Sequence, residues 1–407
     1  GQANNMSAVR VKKGRDASLQ RRHPWLFSGA VQSIEGNPAE GEVVRVELCD
    51  GTLVGYGHYQ IGSISVRILS WGDEYEPDGA FSFPHAFWVE RLRCALDCRK
   101  AQGLTGNSDC YRLVHGEGDN LPGLIIDIYC DCAVMQAHSA GMFHSREQIA
   151  AALREVYGPS LKAFYDKSQG TAPFKAGLPL QDGYIWQGAE LSLPVVAKEN
   201  GHLFYVDWVS GQKTGFFLDQ RDNRRLVGEC ASGRRVLNLF CYTGGFSIYA
   251  LAKGAQSVVS VDSSQTAIDM LENNVRLNFP EGGIAHESVC GDAIDYLRDA
   301  PKGRFDLIVV DPPAFAKHRG ALDNALRAYR RLNSHAIEKV APGGLVFTYS
   351  CSQVVDRHSF ELTIFSAAAS TGRRVRILRR LCQGGDHPVN IYHPEGEYLK
   401  GLLLQVE

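Results

Sequence analysis

The alternation of hydrophobic and polar residues predicts a group of short strands near the start of the chain. Residues 43–48 and 53–56 are apolar alternations separated by an Asp-Gly dipeptide, which is typical of a tight hairpin turn. Residues 64–69 alternate with period two, as a half-buried strand does. We therefore predict a small β-barrel-like module that ends near Trp71, with the acidic, turn-rich stretch 73–77 as its boundary.

The region from about residue 76 to 190 mixes helical and strand patterns. It predicts a small α+β domain in which the sequence shows no obvious chemistry. The predicted helices cover 87–102 and 145–156, the predicted hairpin joins 124–129 to 132–136, and the Gly/Pro-rich stretch 170–183 is predicted as a loop.

From about residue 191 the pattern changes to near-continuous apolar runs that alternate with helical stretches. Such runs mark strands that are buried on both faces of a parallel sheet. The sequence therefore predicts an open α/β sheet domain. The predicted strands cover 235–240, 257–261, 306–310 and 344–349, and the predicted helices cover 247–252, 265–278, 321–340 and 356–370.

The length of the chain, 407 residues, is too great for one ordinary domain. The changes of pattern divide it into three predicted domains, 7–75, 76–190 and 191–407. Hydrophobic residues make up 44% and charged residues 22%, which is ordinary globular composition. Since no apolar run approaches the ~20 residues that span a bilayer, we expect no membrane partner.

The eleven cysteines are scattered without the spacing of a disulfide framework. Their odd number and the polar start of the chain, which shows no secretory signal, favour free thiols in a reducing cytoplasm. Met6 is a candidate natural start. The close pairs Cys94/Cys98 and Cys130/Cys132 have no matching second pair or histidine set, so we expect no metal site.

The charge is nearly balanced overall, at −2, but it is unevenly distributed. Residues 1–35 carry six Lys or Arg against two acidic residues, and further basic clusters lie at 317–331 and 373–380. Basic patches can be the electrostatic footprint of a phosphate backbone, although each can also be a solvated face. Arg21 and Arg22 are the candidate phosphate contacts in the first cluster.

A nucleoside-binding pattern begins at the first strand of the predicted sheet. Residues 236–240 end in Cys241-Tyr242-Thr243-Gly244-Gly245, and paired glycines let the backbone approach a ligand. Asp262 ends the next strand eighteen residues after Gly244, where its two oxygens can hold two ribose hydroxyls. Asp292 follows the third strand and can reach an adenine amino group.

The competing interpretation of this loop is a dinucleotide dehydrogenase. That fingerprint requires a third glycine and a helix start that cradles a pyrophosphate. The third glycine is missing here. The loop therefore favours a ligand without phosphates, such as S-adenosylmethionine (SAM). The charged, aromatic stretch 213–224 just upstream is either a flap over this cofactor or a solvated helix start.

Two motifs at the ends of later strands carry the candidate chemistry. Asp311-Pro312-Pro313 closes one apolar run, and Cys351 follows another forty positions later. Carbon 5 of cytosine is a poor nucleophile until a thiolate adds to carbon 6, and Cys351 is a candidate for that attack. Asp311 can hold N3 and the 4-amino group of the base. The alternative is that Cys351 is an inert buried thiol.

Together these motifs make the chain resemble the bacterial 23S ribosomal RNA cytosine-5 methyltransferases that carry an N-terminal PUA domain. The resemblance extends in order over nearly the whole chain. The segments that carry it are 22–30 (RHPWLFSGA), 213–221 (KTGFFLDQR), 241–246 (CYTGGF), 261–262 (VD), 311–313 (DPP), 350–352 (SCS), 386–388 (DHP) and 394–401 (PEGEYLKG).

The resemblance implies a PUA domain, a small α+β domain and a class I, Rossmann-like methyltransferase domain. It implies SAM as cofactor and 23S ribosomal RNA as partner, and it leaves open whether the protein is a homodimer. Cys351 and Asp311 are the implied catalytic residues. The implied cofactor contacts are Phe216, Asp219, Gln220, Arg221, Asn238, Phe240, Tyr242, Thr243, Gly244, Asp262, Ser263, Asp292, Ala293 and Asp311. The candidate substrate contacts are Pro312, Pro313, Phe315, Arg21 and Arg22.

One position departs from a related group of enzymes. Other RNA cytosine-5 methyltransferases carry a second cysteine directly after the Asp-x-Pro motif, where it helps to release the product, and this chain has Ala314 there. Asp311 or a water molecule must then remove the proton from carbon 5. Two other functions stay open, namely methylation of a purine nitrogen and RNA binding without catalysis.

Overall fold

The computed structural model describes residues 5–173, 177–188 and 190–407, and the chain forms two compact units. The first unit comprises Gly1–Ala197, Val206–Leu218 and Gly385–Gly396. The second unit comprises Lys198–Tyr205, Asp219–Gly384 and Glu397–Glu407.

The first unit begins with a six-stranded sheet in the order β2-β6-β5-β4-β1-β3. The hairpin β4–β5 and the strand β6 confirm the predicted alternations, whereas the three short strands before them were not predicted. The sheet encloses a core that includes Val9, Leu26, Val44 and Val66. The elements are β1 (Ala8–Val11), α1 (Ala17–Gln20), β2 (Trp25–Phe27), β3 (Val31–Glu35), β4 (Val43–Glu47), β5 (Leu53–Tyr59) and β6 (Ile64–Trp71).

The rest of the first unit is a five-stranded sheet in the order β11-β10-β9-β8-β7 with three helices. The predicted hairpin is confirmed, because β8 pairs antiparallel with β9. In the predicted loop 170–183, residues 174–176 lie outside the described residues. The elements are α2 (His85–Ala101), β7 (Cys110–His115), β8 (Leu124–Tyr129), β9 (Cys132–Ala137), α3 (Ala140–His144), α4 (Arg146–Tyr157), β10 (Ala163–Asp166) and β11 (Gly183–Gln187).

Residues 385–396, which the sequence analysis assigns to the last domain, belong to the first unit. Asp386 explains this, because its carboxylate accepts a hydrogen bond from the backbone N–H of Arg112 at 2.9 Å. Its carbonyl oxygen also accepts from the guanidinium of Arg99 at 3.0 Å. Both contacts are buried or half-buried and tie this late segment to α2 and β7. The predicted domain limits therefore differ from the two units.

The second unit is built on a seven-stranded sheet in the order β16-β15-β14-β17-β18-β20-β19. The first five of these strands are parallel, and β20 runs antiparallel between β18 and β19. Apart from it, β12 (Val195–Glu199) and β13 (His202–Val206) form a two-stranded sheet. The remaining elements are α5 (Arg221–Cys230), β14 (Arg235–Leu239), α6 (Gly245–Ala252), β15 (Ser257–Asp262), α7 (Gln265–Asn278), β16 (His286–Cys290), α8 (Ala293–Asp299), β17 (Phe305–Val310), α9 (Leu322–Lys339), β18 (Val340–Ser350), α10 (Arg357–Thr371), β19 (Val375–Leu381) and β20 (Lys400–Val406).

Strand β14 is the point at which the order of this sheet reverses. It pairs with β15 on one side and with β17 on the other. Apolar side chains cover both faces of the sheet: Ile308 and Val310 face one core, and Leu307 and Val309 face the other. This two-sided burial confirms the parallel sheet that the apolar runs predict. Ligands of such sheets bind outside the carboxyl ends of the strands at this switch point.

Candidate active site

The predicted site residues of the second unit lie at the carboxyl ends of its parallel strands. Gly244 follows β14, Asp262 ends β15 and Asp292 follows β16. Asp311 follows β17 and Cys351 follows β18. Since these five strands are parallel neighbours, their ends share one edge of the sheet. The fold thus brings the two predicted motifs and the nucleoside-binding pattern to that edge.

The loop after β14 makes a tight turn with unusual backbone angles. Phe240, Tyr242 and Gly244 have φ angles of 55°, 48° and 91°. A Cβ atom on Gly244 would lie 2.0 Å from Cδ1 of Leu271, so glycine is required there for space as well as for its angle. The amide of Asn274 donates to the carbonyl oxygen of Thr243 at 2.9 Å and holds the turn in place.

The carboxylate of Asp262 is fixed by two backbone groups. One oxygen accepts from the N–H of Tyr242 and the other from the N–H of Ser264, each at 2.9 Å. The side chain is half-buried, and the neighbouring Ser263 is exposed. Each carboxylate oxygen has a second lone pair, so both can still accept a hydrogen bond from a ribose hydroxyl.

Asn238 lies inside the sheet at the start of a chain of buried hydrogen bonds. Its amide donates to Ser247 at 2.8 Å, Ser247 contacts Ser260 at 2.6 Å, and Ser260 contacts Nε2 of His286 at 2.8 Å. Burial lowers the pKa of His286. The amide oxygen of Asn238 is buried and has no partner within the described part of the chain, which is unusual for a buried polar atom.

The predicted contacts at the next strand end differ in exposure. Asp292 is exposed, and its carboxylate caps α8 by accepting from the N–H of Asp295 at 2.8 Å. Ala293 is buried. The cap fixes the orientation of the Asp292 side chain while leaving its other oxygen open to solvent.

The segment Asp219-Gln220-Arg221 is buried, which excludes the solvated helix start as its description. Tyr398 donates to the carboxylate of Asp219 at 2.7 Å, and Asn223 donates to the side chain of Gln220 at 2.7 Å. These three residues belong to the second unit, whereas Phe216 belongs to the first. Their contact with a cofactor stays a prediction.

The two catalytic motifs are connected through Tyr329 on α9. Its hydroxyl oxygen accepts from the backbone N–H of Phe315 at 3.4 Å and from the hydroxyl of Ser350 at 3.0 Å. Ser352 donates to the carbonyl oxygen of Ala316. Ser352 is therefore hydrogen-bonded directly to the loop that follows Asp311, and Ser350 is connected to that loop through Tyr329.

The charges of the two predicted catalytic side chains act on the same tyrosine. Burial raises the pKa of Tyr329, and the negative charges of Cys351 and Asp311 raise it further. Both Cys351 and Asp311 are half-buried. Pro312 is buried and Pro313 is exposed. Both charges therefore act on the phenol that joins the two motifs.

Phe315 packs inside the protein in this structure. Its ring centroid lies 4.7 Å from that of Tyr329. This packing is observed, whereas a contact of Phe315 with the substrate base stays a prediction.

Sequence reasoning missed two residues of the site, Tyr329 and Lys400. Tyr329 belongs to the buried stripe of α9, where it resembles any core aromatic. Lys400 is 2% exposed, and the signal for it is present in the sequence, because it is a charged residue in front of the apolar run Leu402–Leu404. A lysine is almost never fully buried unless another group compensates its charge.

On the first unit, Arg21 and Arg22 are exposed. The guanidinium carbon of Arg22 lies 5.0 Å from the ring centroid of Trp71, which is within the range of a cation–π contact. The structure thus places both predicted RNA contacts on the surface of this unit.

The strand order, the switch point and the polar strand ends define a class I methyltransferase. Residues 185–383 match the model of the S-adenosylmethionine-dependent methyltransferase family, and residues 9–71 match that of a PUA-like domain. The chain is therefore a SAM-dependent methyltransferase with an N-terminal PUA-like domain. Among the described residues, no helix has both the length and the hydropathy to cross a bilayer.

Curated relatives identify the particular family. The chain is 43% identical over 403 residues to ribosomal RNA large subunit methyltransferase I of Aeromonas salmonicida, with 98% of both chains covered. It is 39% identical over 409 residues to the protein of the same name from Shewanella amazonensis, with 98% of this chain and 99% of the relative covered. The chain belongs to the ribosomal RNA large subunit methyltransferase I family.

Solved structures agree in fold. One chain from Streptococcus mutans, described as a SAM-dependent methyltransferase, superposes with a TM-score of 0.82 at 23% identity and covers 98% of this chain and all of that one. A second methyltransferase, solved in complex with SAH, has a TM-score of 0.81 at 24% identity, with 98% and 100% of the two chains covered.

The residues at the switch point fit SAM. The turn at Tyr242–Gly244 holds the backbone close to the strand end, and the Asp262 carboxylate has acceptor capacity for a ribose. The unpaired oxygen of Asn238 is a further acceptor for a donor such as the ammonium group of the cofactor's amino acid. When bound, SAM supplies an electrophilic methyl group.

Proposed function

We propose that this protein methylates carbon 5 of a cytosine in large-subunit (23S) ribosomal RNA, with Cys351 as the nucleophile. The observation that carries the proposal is the position of Cys351 at the end of β18, next to Asp311 at the end of the neighbouring strand β17. The names of the relatives support ribosomal RNA as the substrate. A cytoplasmic location and a homodimer stay predictions.

In the proposed reaction the target base is flipped out or already single-stranded, because a paired base is inaccessible. The Cys351 thiolate adds to carbon 6, and the electron pair of the ring double bond moves to carbon 5. Carbon 5 then displaces the methyl group from the sulfonium sulfur of SAM, so the bond between methyl and sulfur breaks and S-adenosylhomocysteine is the leaving group. A base removes the proton from carbon 5, the ring double bond forms again and the bond from carbon 6 to sulfur breaks, which releases the thiolate.

Asp311 is proposed to hold the base by N3 and the 4-amino group. Its half-buried carboxylate follows β17, and Pro312 and Pro313 restrict the backbone there. Ala314 has no proton to exchange, so the proton on carbon 5 must leave to Asp311 or to a water molecule.

The test compares wild-type protein with Cys351→Ala. Ribosomal RNA from cells that lack the protein is treated with each, and the modified nucleoside is identified and mapped by mass spectrometry. We expect 5-methylcytidine with wild type and none with Cys351→Ala, whereas calorimetry should give equal SAM affinity for both. Cys49→Ala is the matched control, because that thiol is exposed on the first unit, and it should methylate normally.

The other outcomes separate the remaining functions. An N-methylated purine in place of 5-methylcytidine would show that the enzyme methylates a purine nitrogen and not carbon 5 of cytosine. Unchanged activity of Cys351→Ala would rule out the covalent mechanism. A protein that binds ribosomal RNA but gives no SAM binding signal would be an RNA-binding protein without catalysis.

A further inference from the structure

Lys400 is a buried lysine at the start of the antiparallel strand β20. Only 2% of it is exposed, and it pairs in register with Ser350, the last residue of β18. Cys351 follows Ser350 directly. The pairing of β18 with β20 therefore places this ammonium group beside the segment that carries the proposed nucleophile.

The contacts of Lys400 direct its Nζ atom toward that segment. Nζ donates a hydrogen bond to the carbonyl oxygen of Ser352, the residue directly after Cys351. Ser350 and Ser352 are themselves held, through Tyr329 and Ala316. Hydrogen bonds therefore hold both neighbours of Cys351 in place, and one of these neighbours, Ser352, also accepts the hydrogen bond from Lys400.

Four charged groups act on Lys400. Burial lowers its pKa to about 8, the negative charges of Cys351, Glu397 and Asp356 oppose that shift, and Arg357 adds to it. Arg357 also donates to Glu397 at 3.1 Å, so that exposed carboxylate is shared. At neutral pH the amine is still mainly protonated, because neutral pH lies about one unit below this pKa.

A buried cation is costly unless a negative charge compensates it. The half-buried Cys351 becomes such a charge when its thiol ionises, and a neighbouring ammonium group lowers the pKa of a thiol. Because the thiolate form of Cys351 would compensate the buried charge of Lys400, the thiolate is favoured over the neutral thiol.

We propose that the Lys400 ammonium group stabilises the Cys351 thiolate and is a positioning residue for the nucleophile. The inference rests on the proposed function of Cys351. The thiol loses its proton to water, and Lys400 keeps its own proton throughout. The ammonium group faces the thiolate before the sulfur bonds to carbon 6, and again after that bond breaks and the thiolate leaves.

The test measures thiol ionisation without RNA. The full-length protein is treated with iodoacetamide between pH 6 and 10, and the alkylation rate of Cys351 is followed by peptide mass spectrometry, with exposed Cys49 as the internal reference. In Lys400→Met we expect the midpoint of the Cys351 profile to rise by about 1–3 pH units, and its rate at pH 7 to fall at least about tenfold. Lys400→Arg keeps the charge and should restore most of the rate.

Lys339→Met is the matched control, because Lys339 also donates to a backbone carbonyl oxygen, that of Ala300, but lies before β18 at the opposite edge of the sheet. Its Cys351 profile should equal that of wild type. If Lys400→Met folds poorly, Lys400→Gln provides the second neutral variant, with SAM affinity and the melting temperature as folding checks.

Two results would overturn the inference. One is an unchanged Cys351 profile in the neutral variants. The other is an equal rise in Lys400→Met and Lys400→Arg, which would make side-chain shape, not charge, the cause. Neither depends on methyl transfer, so they are distinguishable from a failure of the proposed function, in which Cys351→Ala would still methylate RNA.

Discussion

At the scale of single residues, Arg224 and Glu199 of the second unit form a buried ion pair, and the Arg224 side chain lies next to Gly245. The guanidinium of Arg224 donates to both oxygens of Glu199, at 2.9 and 2.8 Å. Tyr249 donates to the same carboxylate at 2.8 Å. Arg224 and Glu199 are 3% and 0% exposed, so neither charge is solvated once its partner is removed.

We therefore predict that Arg224→Met destabilises the protein by about 3–5 kcal/mol, the usual cost of leaving one buried charge unpaired. Chemical unfolding followed by circular dichroism measures this. Arg225→Met is the control, because the neighbouring arginine is exposed, and its unfolding should change by less than about 0.5 kcal/mol. If the two substitutions lowered the free energy of unfolding equally, the ion pair between Arg224 and Glu199 would not be the cause of the loss.

Residues at the strand ends differ in how readily the sequence predicts them as site residues. Asp262, Asp311 and Cys351 stand directly after apolar runs, so their shared edge follows from the parallel order alone. Lys400 reaches the same site only through the register of β18 with β20, which joins it to Ser350. That pairing joins residues fifty positions apart, so no local sequence pattern predicts it.

At the scale of elements, the turn between β14 and α6 depends on one glycine. Gly244 has a φ of 91°, and a Cβ atom there would lie 2.0 Å from Cδ1 of Leu271. Since Leu271 belongs to the buried side of α7, the side chain has little room to move. The turn must shift if Gly244 is replaced.

We predict that Gly244→Ala weakens SAM binding by about tenfold or more, because about 1–2 kcal/mol of backbone strain adds to the clash with Leu271. Calorimetric titration with SAM measures the effect. Gly282→Ala is a matched control: its φ is 71°, and nothing lies within 4 Å of its added Cβ. If both variants bind SAM with equal affinity, the turn does not shape the cofactor site.

Burial explains why some strands were predicted from the sequence and others were not. Strand β17 is apolar and buried on both faces, and its sequence shows it clearly. Strand β19 is mostly exposed and contains three arginines among its seven residues, so it resembles a surface segment. Strand β2 has only three residues, too few for a period to appear.

At the scale of the whole molecule, the assignment of residues 385–396 to the first unit was not predictable. It depends on Asp386, whose carboxylate accepts from the backbone of Arg112, 274 positions earlier. The spacing of apolar residues reports only on local structure, so it cannot predict a contact between such distant residues. The family models match the continuous ranges 9–71 and 185–383, and ranges of that kind can be recognised from the local pattern.

The net charge of −2 gives the molecule no overall attraction to RNA, so binding must depend on local basic patches. Arg21 and Arg22 are exposed in one such patch. We predict that the double substitution Arg21→Glu with Arg22→Glu weakens binding to a ribosomal RNA fragment and reduces the slope of log K against log salt by about one to two, because each lost phosphate contact releases about one counterion fewer.

Fluorescence anisotropy between 50 and 300 mM salt measures this slope. Arg298→Glu is the control, because this exposed arginine lies on α8 of the second unit, outside the basic clusters. It changes the net charge by two, as each of the two substitutions does, and its slope should stay within error of wild type. An unchanged slope in the double variant would exclude the patch from the RNA interface, whereas a loss in Arg298→Glu about half that of the double variant would show that net charge alone controls binding.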